Sequence, residues 1–228
     1  MSRSPTAVQV DRDRIERIVR DVVANRFAPR SATGRPPLMV NISARHMHIS
    51  REHLEQLFGP GAELTPFKPL YQTGEFASEQ TVDLIGPRRR MLHSVRILGP
   101  TRPQSQIELA FTDSIALGID VPVRMSGNHE GTPGCIALGP AGHIVLERGV
   151  VRAQRHVHMN SADAEYYGVR NGDPMDMVVE HPTCPVVIRG IIARIHANFK
   201  LEVHIDTDEG NCCDLPRATG VRLEKERK

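Results

Sequence analysis

The 228-residue chain contains no tryptophan and few other aromatic residues, namely three tyrosines and six phenylalanines. Aromatic platforms on which nucleic acid bases stack are therefore scarce. Lysine and arginine (29 residues) nearly balance aspartate and glutamate (27 residues), and the net charge of +2 supplies no general field that attracts a polyanion. These two shortages argue against nucleic acid as a partner.

Long apolar runs and paired cysteine motifs are also missing. No uninterrupted apolar run approaches the ~18 residues that a membrane-spanning helix needs, so no membrane association is expected. Cys135, Cys184, Cys212 and Cys213 form no CxxC motif, so the sequence signals of a zinc ribbon and of a thioredoxin-type site are absent. Nothing at the N-terminus reads as a secretory signal, and we expect a reducing, cytoplasmic setting.

Residues 1–27 contain an amphipathic segment. Charged residues fill one helical face, and apolar residues recur at helical spacing on the other: Ile15, Ile18, Val19, Val22, Val23 and Phe27. Residues 28–37 hold three prolines and a glycine and read as a flexible linker. The segment either docks on its own domain or binds another protein, and the linker favours the second alternative.

From Leu38 onward, short runs rich in Val, Ile and Leu are separated roughly every ten residues by turn-forming residues, which predicts a mainly β protein of small barrels or sandwiches. The clearest strands are expected at Leu38–Ile42, Ser94–Leu98 and Val186–Ile192. Short helices are expected over Arg51–Phe58, with Ser50 as N-cap, and over Ser161–Tyr167, with Ser161 as cap.

An internal repeat divides the chain. The sequence RHMHIS at Arg45–Ser50 recurs 110 residues later as RHVHMN at Arg155–Asn160, and a short helix is predicted after each copy. A weaker echo relates Gln106–Asp113 to Lys200–Thr207. The chain therefore reads as a duplicated unit.

Each copy of the repeat carries a His-x-His pair. Side chains at positions i and i+2 of a strand point to the same face, about 6–7 Å apart, so two imidazoles can bind one cation. A single pair is equally compatible with ordinary surface or core histidines. The recurrence of the pair, as His46 with His48 and as His156 with His158, favours metal binding.

Two imidazoles leave a metal ion under-coordinated, so each pair needs a third ligand. The echoing strands offer Glu108 and His204, with an ion-paired carboxylate and a buried histidine as the alternative interpretations. Arg102 follows a Gly–Pro turn shortly before Glu108. An arginine suits phosphate because its guanidinium forks onto two oxygens, and the alternative is a solvated loop charge.

Longer motifs carry a family resemblance from about Val40 to Leu215. They are VNISARHMH at Val40–His48, LTP at Leu64–Pro66, GEFA at Gly74–Ala77, LGPTR at Leu98–Arg102 and RHVHM at Arg155–Met159. In these motifs the chain resembles the PduL-type phosphotransacylases, which are the phosphate propanoyltransferases of propanediol-utilisation bacterial microcompartments.

The resemblance implies two small β-barrel domains that are capped by short helices and exchange strands. Domain A would comprise residues 38–45 and 151–228, and domain B residues 46–150. Residues 1–27 would form a targeting helix that binds shell or core proteins and takes the enzyme into the microcompartment lumen. We also expect a homo-oligomer.

The resemblance further implies transfer of a short acyl group, acetyl or propanoyl, between coenzyme A and phosphate at two zinc ions per chain. One zinc ion would be held by His46, His48 and Glu108 together with the coenzyme A sulfur. The other would be held by His156, His158 and His204 together with water. Arg102 would bind phosphate, and coenzyme A would contact Lys68, Arg96 and Asn211.

Two other functions stay open on the sequence alone. A metal-dependent hydrolase would use zinc-bound hydroxide to cleave a thioester. A structural protein would use closed, four-coordinate zinc sites only to hold two barrels together. The three ligands predicted for each ion leave open positions, which disfavours the structural alternative.

Overall fold

Strands predominate in the computed structural model, which describes residues 34–226. The predicted amphipathic helix of residues 1–27 and most of the linker at 28–37 lie outside the described residues. Among the helices that are described, none has both the length and the apolar character needed to cross a membrane.

One sheet has six strands and combines the start of the described chain with its end. Its order is β1 (Met39–Ser43), β14 (Glu202–Asp206), β11 (His156–Met159), β13 (Val186–Ile195), β12 (Pro174–Glu180) and β15 (Gly220–Lys225). We call it the six-stranded half.

The other sheet has nine strands, and we call it the nine-stranded half. Its order is β7 (Val123–Arg124), β10 (Val150–Ala153), β6 (Gln106–Glu108), β2 (His46–His48), β5 (Met91–Gly99), β4 (Phe76–Ile85), β8 (Cys135–Leu138) and β9 (His143–Leu146), with β3 (Pro66–Pro69) paired to β4.

Four short α-helices and a 3₁₀ helix complete the described part of the chain. They are α1 (Arg51–Phe58), α2 (Phe111–Leu117), α3 (Ser161–Tyr167), α4 (Thr207–Cys212) and the 3₁₀ helix Leu215–Arg217.

The predicted mainly β class is confirmed, and each sheet curls into a half-barrel. The halves exchange a strand, because β1 pairs in parallel with β14 before the chain enters the nine-stranded half at β2. The chain pairs β10 with β6 before it returns to the six-stranded half at β11. The domain boundaries at residues 45/46 and 150/151 stay predictions.

Each half has its own hydrophobic core. Met47, Ile97 and Ile107 belong to one buried cluster, and Val157 and Val203 belong to the other. Met47 and Val157 are the middle residues of the two His-x-His segments, and both are fully buried. Since side chains alternate along a strand, these apolar residues direct the flanking histidines to the face opposite the core.

The helix after each histidine pair begins as the sequence indicates, with one correction. Ser50 caps α1, and its side chain accepts a hydrogen bond from the backbone N–H of His53. The predicted cap Ser161 is wrong: α3 is capped by Asn160, whose side-chain oxygen accepts from the Asp163 N–H at 3.0 Å. Asparagine is as good an N-cap as serine, and Ser161 is already helical.

Candidate metal centre

The first group of predicted ligands comes together between two antiparallel strands. His46 on β2 lies directly opposite Glu108 on β6, and His48 lies two residues further along the same face. The Nε2 atoms of His46 and His48 are 3.3 Å apart, and they lie 3.5 and 3.8 Å from the oxygens of the Glu108 carboxylate. We call these three residues the first triad.

The second group forms in the same way in the six-stranded half. His156 on β11 lies opposite His204 on β14, and their rings stack with centroids 4.8 Å apart. The His158 ring lies 4.8 Å from that of His156 and 4.7 Å from that of His204, and it stacks on Phe199. His156, His158 and His204 are the second triad.

Each triad fits a divalent metal ion. The ligand atoms of a triad all lie within 4.8 Å of one another. Nδ1 of His46 hydrogen-bonds the carbonyl of Ala44, and Nδ1 of His156 that of Gln154, both at 2.8 Å. A carbonyl only accepts, so each Nδ1 carries the proton and each Nε2 keeps a lone pair for a metal.

Within the part of the chain that the structure describes, several buried ring nitrogens in the triads have no hydrogen-bond partner. They are both nitrogens of His158 and Nε2 of His204. A buried polar atom without a partner is costly, and native structures contain few of them. Nε2 of His204 and one nitrogen of His158 would gain a partner from a cation bound among the imidazoles of the second triad.

His48, His156 and His158 hold their neutral form. Burial, followed by a neighbouring histidine of the same triad, lowers the pKa of His48 to about 3, of His156 to about 4 and of His158 to about 2. Burial acts to raise the pKa of Glu108, but its histidine neighbours and Arg102 outweigh burial and lower this pKa to about 2. Neutral imidazoles and an ionised carboxylate are the forms that bind metal.

Both triads line one cavity together with Arg102. The backbone N–H of Arg102 donates to the carbonyl of Ile49 at 2.8 Å, which ties the loop after β5 to the end of the first His-x-His segment. Its guanidinium donates to Oγ of Ser126 at 3.2 Å and lies 3.9 Å from the Glu75 carboxylate. The predicted anion-binding residue therefore faces the same space as the metal ligands.

The three predicted coenzyme A contacts lie elsewhere, and none of them is among the described residues that line the cavity. Arg96 on β5 donates to the carbonyls of Ser78 and Glu79, and its guanidinium lies 5.2 Å from the ring centroid of Phe67. Lys68 follows Phe67 on β3, and Asn211 is exposed on α4. Their role stays a prediction.

The sequence echo between β6 and β14 was wrong by two residues. It aligned Glu108 with Glu202, but Glu108 and His204 lie opposite the first histidine of each pair, and Gln106 and Glu202 lie opposite the second. Residues two apart on a strand share a face, so alternation alone does not distinguish the two alignments.

Gln106 and Glu202 lie beside the third ligand of each triad. Nε2 of Gln106 donates to the Glu108 carboxylate at 2.7 Å. Glu202 is 2% exposed and accepts from Nε2 of Gln72 at 2.7 Å; the same oxygen lies 3.1 Å from Nε2 of His204, without the angles of a hydrogen bond. We did not predict these residues as part of the site, although their spacing to Glu108 and His204 marks the shared face.

The arginine before each histidine pair has an equivalent partner in both halves. Arg45 forms an ion pair with Asp113, the third residue of α2, and Nε of Arg155 lies 3.0 Å from Glu209, the third residue of α4. Each of these two carboxylates also accepts from the N-cap backbone N–H of its own helix. The repeated arginine thus joins each ligand-bearing strand to a helix cap, rather than adding a ligand.

Comparison with known proteins identifies the class to which this fold and this pair of triads belong. The family model described as phosphate propanoyltransferase matches residues 39–216. A phosphate propanoyltransferase of Planctopirus limnophila is 52% identical over 98% of this chain and 96% of its own length. Those of Thermotoga maritima and Salmonella typhimurium are 46% and 42% identical, over 79% and 80% of this chain and 85% and 87% of their own lengths.

The protein is therefore an acyltransferase of the phosphotransacylase type, a mainly β enzyme with two candidate metal triads in one cavity. More particularly, the chain belongs to the phosphate propanoyltransferase family.

Proposed function

We propose that the chain interconverts a short acyl-CoA and phosphate with an acyl phosphate and coenzyme A, at a site that holds two zinc ions. The first triad would hold one ion and the second triad the other. The observation that carries the proposal is that two complete sets of three ligands line a single cavity. Imidazole and carboxylate ligands in threes suit catalytic zinc, because they leave positions open for substrate.

The metal ions, when bound, would act as Lewis acids that stabilise negative charge on sulfur and on phosphate oxygens. Arg102 would orient phosphate by donating to its oxygens. One phosphate oxygen forms the new C–O bond to the acyl carbon while the C–S bond breaks. The sulfur leaves as a thiolate and takes up the proton that phosphate gives up, so the products are acyl phosphate and coenzyme A.

The transfer needs no covalent acyl-enzyme. No cysteine is found among the described residues that line the cavity. Cys135 is buried in the core of the nine-stranded half, and burial raises its pKa to about 12, so that it stays a thiol. A thiol at this pKa is a weak nucleophile at neutral pH.

A coenzyme A release assay tests the proposal. Acetyl-CoA and propanoyl-CoA are each supplied with and without phosphate, to the zinc-loaded protein and to protein stripped of metal. Release should require both phosphate and metal. Release without phosphate, together with free acid, would instead identify a thioester hydrolase, and full turnover in verified metal-free protein would contradict a metal-dependent transfer.

We further propose that residues 1–27 form an amphipathic targeting helix, joined by the 28–37 linker, that binds shell or core proteins and directs the enzyme to the microcompartment lumen. The support is the single apolar stripe in that part of the sequence. Residues 1–37 fused to a fluorescent protein should concentrate in microcompartments. A fusion that carries Asp at Ile18 and Val22 should remain diffuse, and equal localisation of the two fusions would contradict the proposal.

A further inference from the structure

Arg194 is a second guanidinium in the cavity that holds both triads and Arg102. It lies on β13, where the parallel register pairs it with His158 of the second triad. Within residues 34–226, no carboxylate lies within 4.0 Å of the Arg194 guanidinium, and its side chain makes no hydrogen bond. A charged side chain next to buried groups normally has a partner, so Arg194 has unused capacity for an anion.

The repeat indicates that this arginine is not required by the strand itself. The β2–β5 pair of the nine-stranded half is equivalent to the β11–β13 pair of the six-stranded half, since both are parallel. The position that Arg194 takes opposite His158 is taken by Leu98 opposite His48. Leu98 also lines the cavity, so the same position carries an apolar side chain in one half and a guanidinium in the other. The difference concerns what the cavity binds rather than how the sheet forms.

The positive charge of Arg194 reaches the other groups of the site. Burial is the largest cause of the lowered pKa of Arg102, and the charge of Arg194 lowers it further. The charge of Arg194 also lowers the pKa values of His156 and His158, where burial is again the largest cause. Arg194, Arg102 and the two histidines line the same cavity, so one charge acts on all of them. Two guanidiniums that repel each other in a partly buried cavity are stabilised by an anion between them, and a phosphate offers oxygens to both.

We propose that Arg194 binds the phosphoryl group of the substrate, as inorganic phosphate in one direction and as acyl phosphate in the other, from the side of the second triad. This inference rests on the proposed function. Coenzyme A also carries phosphates, but the predicted contacts to it, Lys68 and Arg96, lie near Phe67 and do not line the cavity.

The test compares Arg194→Gln with Arg194→Lys and with a matched control, Arg189→Gln. Arg189 is exposed on the same strand, and its backbone carbonyl accepts a hydrogen bond from the Arg155 guanidinium. For each zinc-loaded variant, KM is measured separately for phosphate, acyl phosphate and acyl-CoA. Calorimetry measures the binding of inorganic phosphate, metal analysis counts zinc, and thermal unfolding reports the fold.

Arg194→Gln should raise KM for phosphate and for acyl phosphate about 10- to 100-fold, as expected for lost hydrogen bonds between charged groups. KM for acyl-CoA and the zinc content should stay the same. Arg194→Lys should recover part of the loss, because lysine keeps the charge but not the fork. Arg189→Gln should match the unsubstituted protein in every measurement.

An unchanged KM and affinity for phosphate in Arg194→Gln would overturn the assignment, and so would an increase confined to KM for acyl-CoA, which would move Arg194 to the coenzyme A phosphates. If the glutamine variant does not fold, the Arg194→Lys variant provides the test. An unchanged KM for phosphate in the lysine variant would also overturn the assignment, because lysine cannot bind two phosphate oxygens as the guanidinium does. A different result would contradict the proposed function, namely that the unsubstituted chain shows no phosphate-dependent release of coenzyme A. In that case calorimetry would still test whether Arg194 binds phosphate.

Discussion

The two triads occupy equivalent strands but differ in the residues around their histidine pairs. The first triad ends in a carboxylate, Glu108, supported by the neutral Gln106, whereas the second ends in an imidazole, His204, beside the carboxylate of Glu202. The duplicated strands keep the frame for two cations, while the acidic residue has moved from the ligand position to the supporting position. A cation in an all-imidazole triad would keep more of its charge for an anionic substrate.

The largest expected effect comes from removing metal. Zinc-loaded protein should hold about two ions per chain, one per triad, and exhaustive chelation should lower turnover about 10³-fold or more, because Lewis-acid stabilisation contributes several kcal/mol. Adding zinc back should restore turnover. A content of one ion per chain would mean that only one of the two halves is a metal site.

Single substitutions of the ligands test the two triads separately. His46→Gln and His156→Gln should each lose one of the two ions and lower turnover by about 10³-fold, because both ions take part in the transfer that we propose. His143→Gln, at an exposed position on β9, is the matched control and should keep both ions. Zinc content and kcat are measured for each variant. Loss of both ions from one substitution would mean that the two halves do not bind their metal ions independently.

The dependence of stability on pH should also differ between the halves in metal-free protein. The pKa values of His48, His156 and His158 are lowered by folding, so the unfolded chain binds more protons than the folded chain below pH 6.5. The free energy of unfolding should therefore fall as the pH decreases from about 6.5 to 4, by roughly 1.4 kcal/mol per pH unit for each histidine.

Because two of these three histidines belong to the second triad, the double variant His156→Gln/His158→Gln should flatten the pH dependence more than His48→Gln. Urea unfolding of chelated protein at pH 7 and pH 5.5 measures the difference. If the free energy of unfolding changed equally with pH in the two variants, the two triads would not differ in the number of histidines whose pKa is lowered.

The smallest effect concerns the arginine before each histidine pair. Both ion pairs are partly exposed, so removing either should lower the free energy of unfolding by about 1 kcal/mol or less. Arg45→Gln should cost more than Arg155→Gln, because Glu209 keeps Arg152 at 3.3 Å as a partner. Urea unfolding, with the exposed Arg90→Gln as control, tests the order, and the reverse order would exclude this explanation.

Much of the local structure was predictable because it depends on neighbours in the chain. The helix Arg51–Phe58 begins after Ser50 as expected, since an N-cap and the first turn are adjacent residues. The cap of α3 (Ser161–Tyr167) was misassigned by one residue, because Asn160 and Ser161 both suit an N-cap. The alignment of β6 with β14 was off by two residues, since period-two alternation does not record which residue lies opposite which.

The spacing of His46 with His48, and of His156 with His158, determined by itself that each pair shares one strand face, with Met47 and Val157 turned to the cores. Only the tertiary structure decided that Glu108 and His204 lie opposite these pairs, that both triads line one cavity, and that Arg194 joins them. The physical reason is that alternation is a property of a single strand. Register, and the meeting of two sheets, follow from the packing of the whole chain.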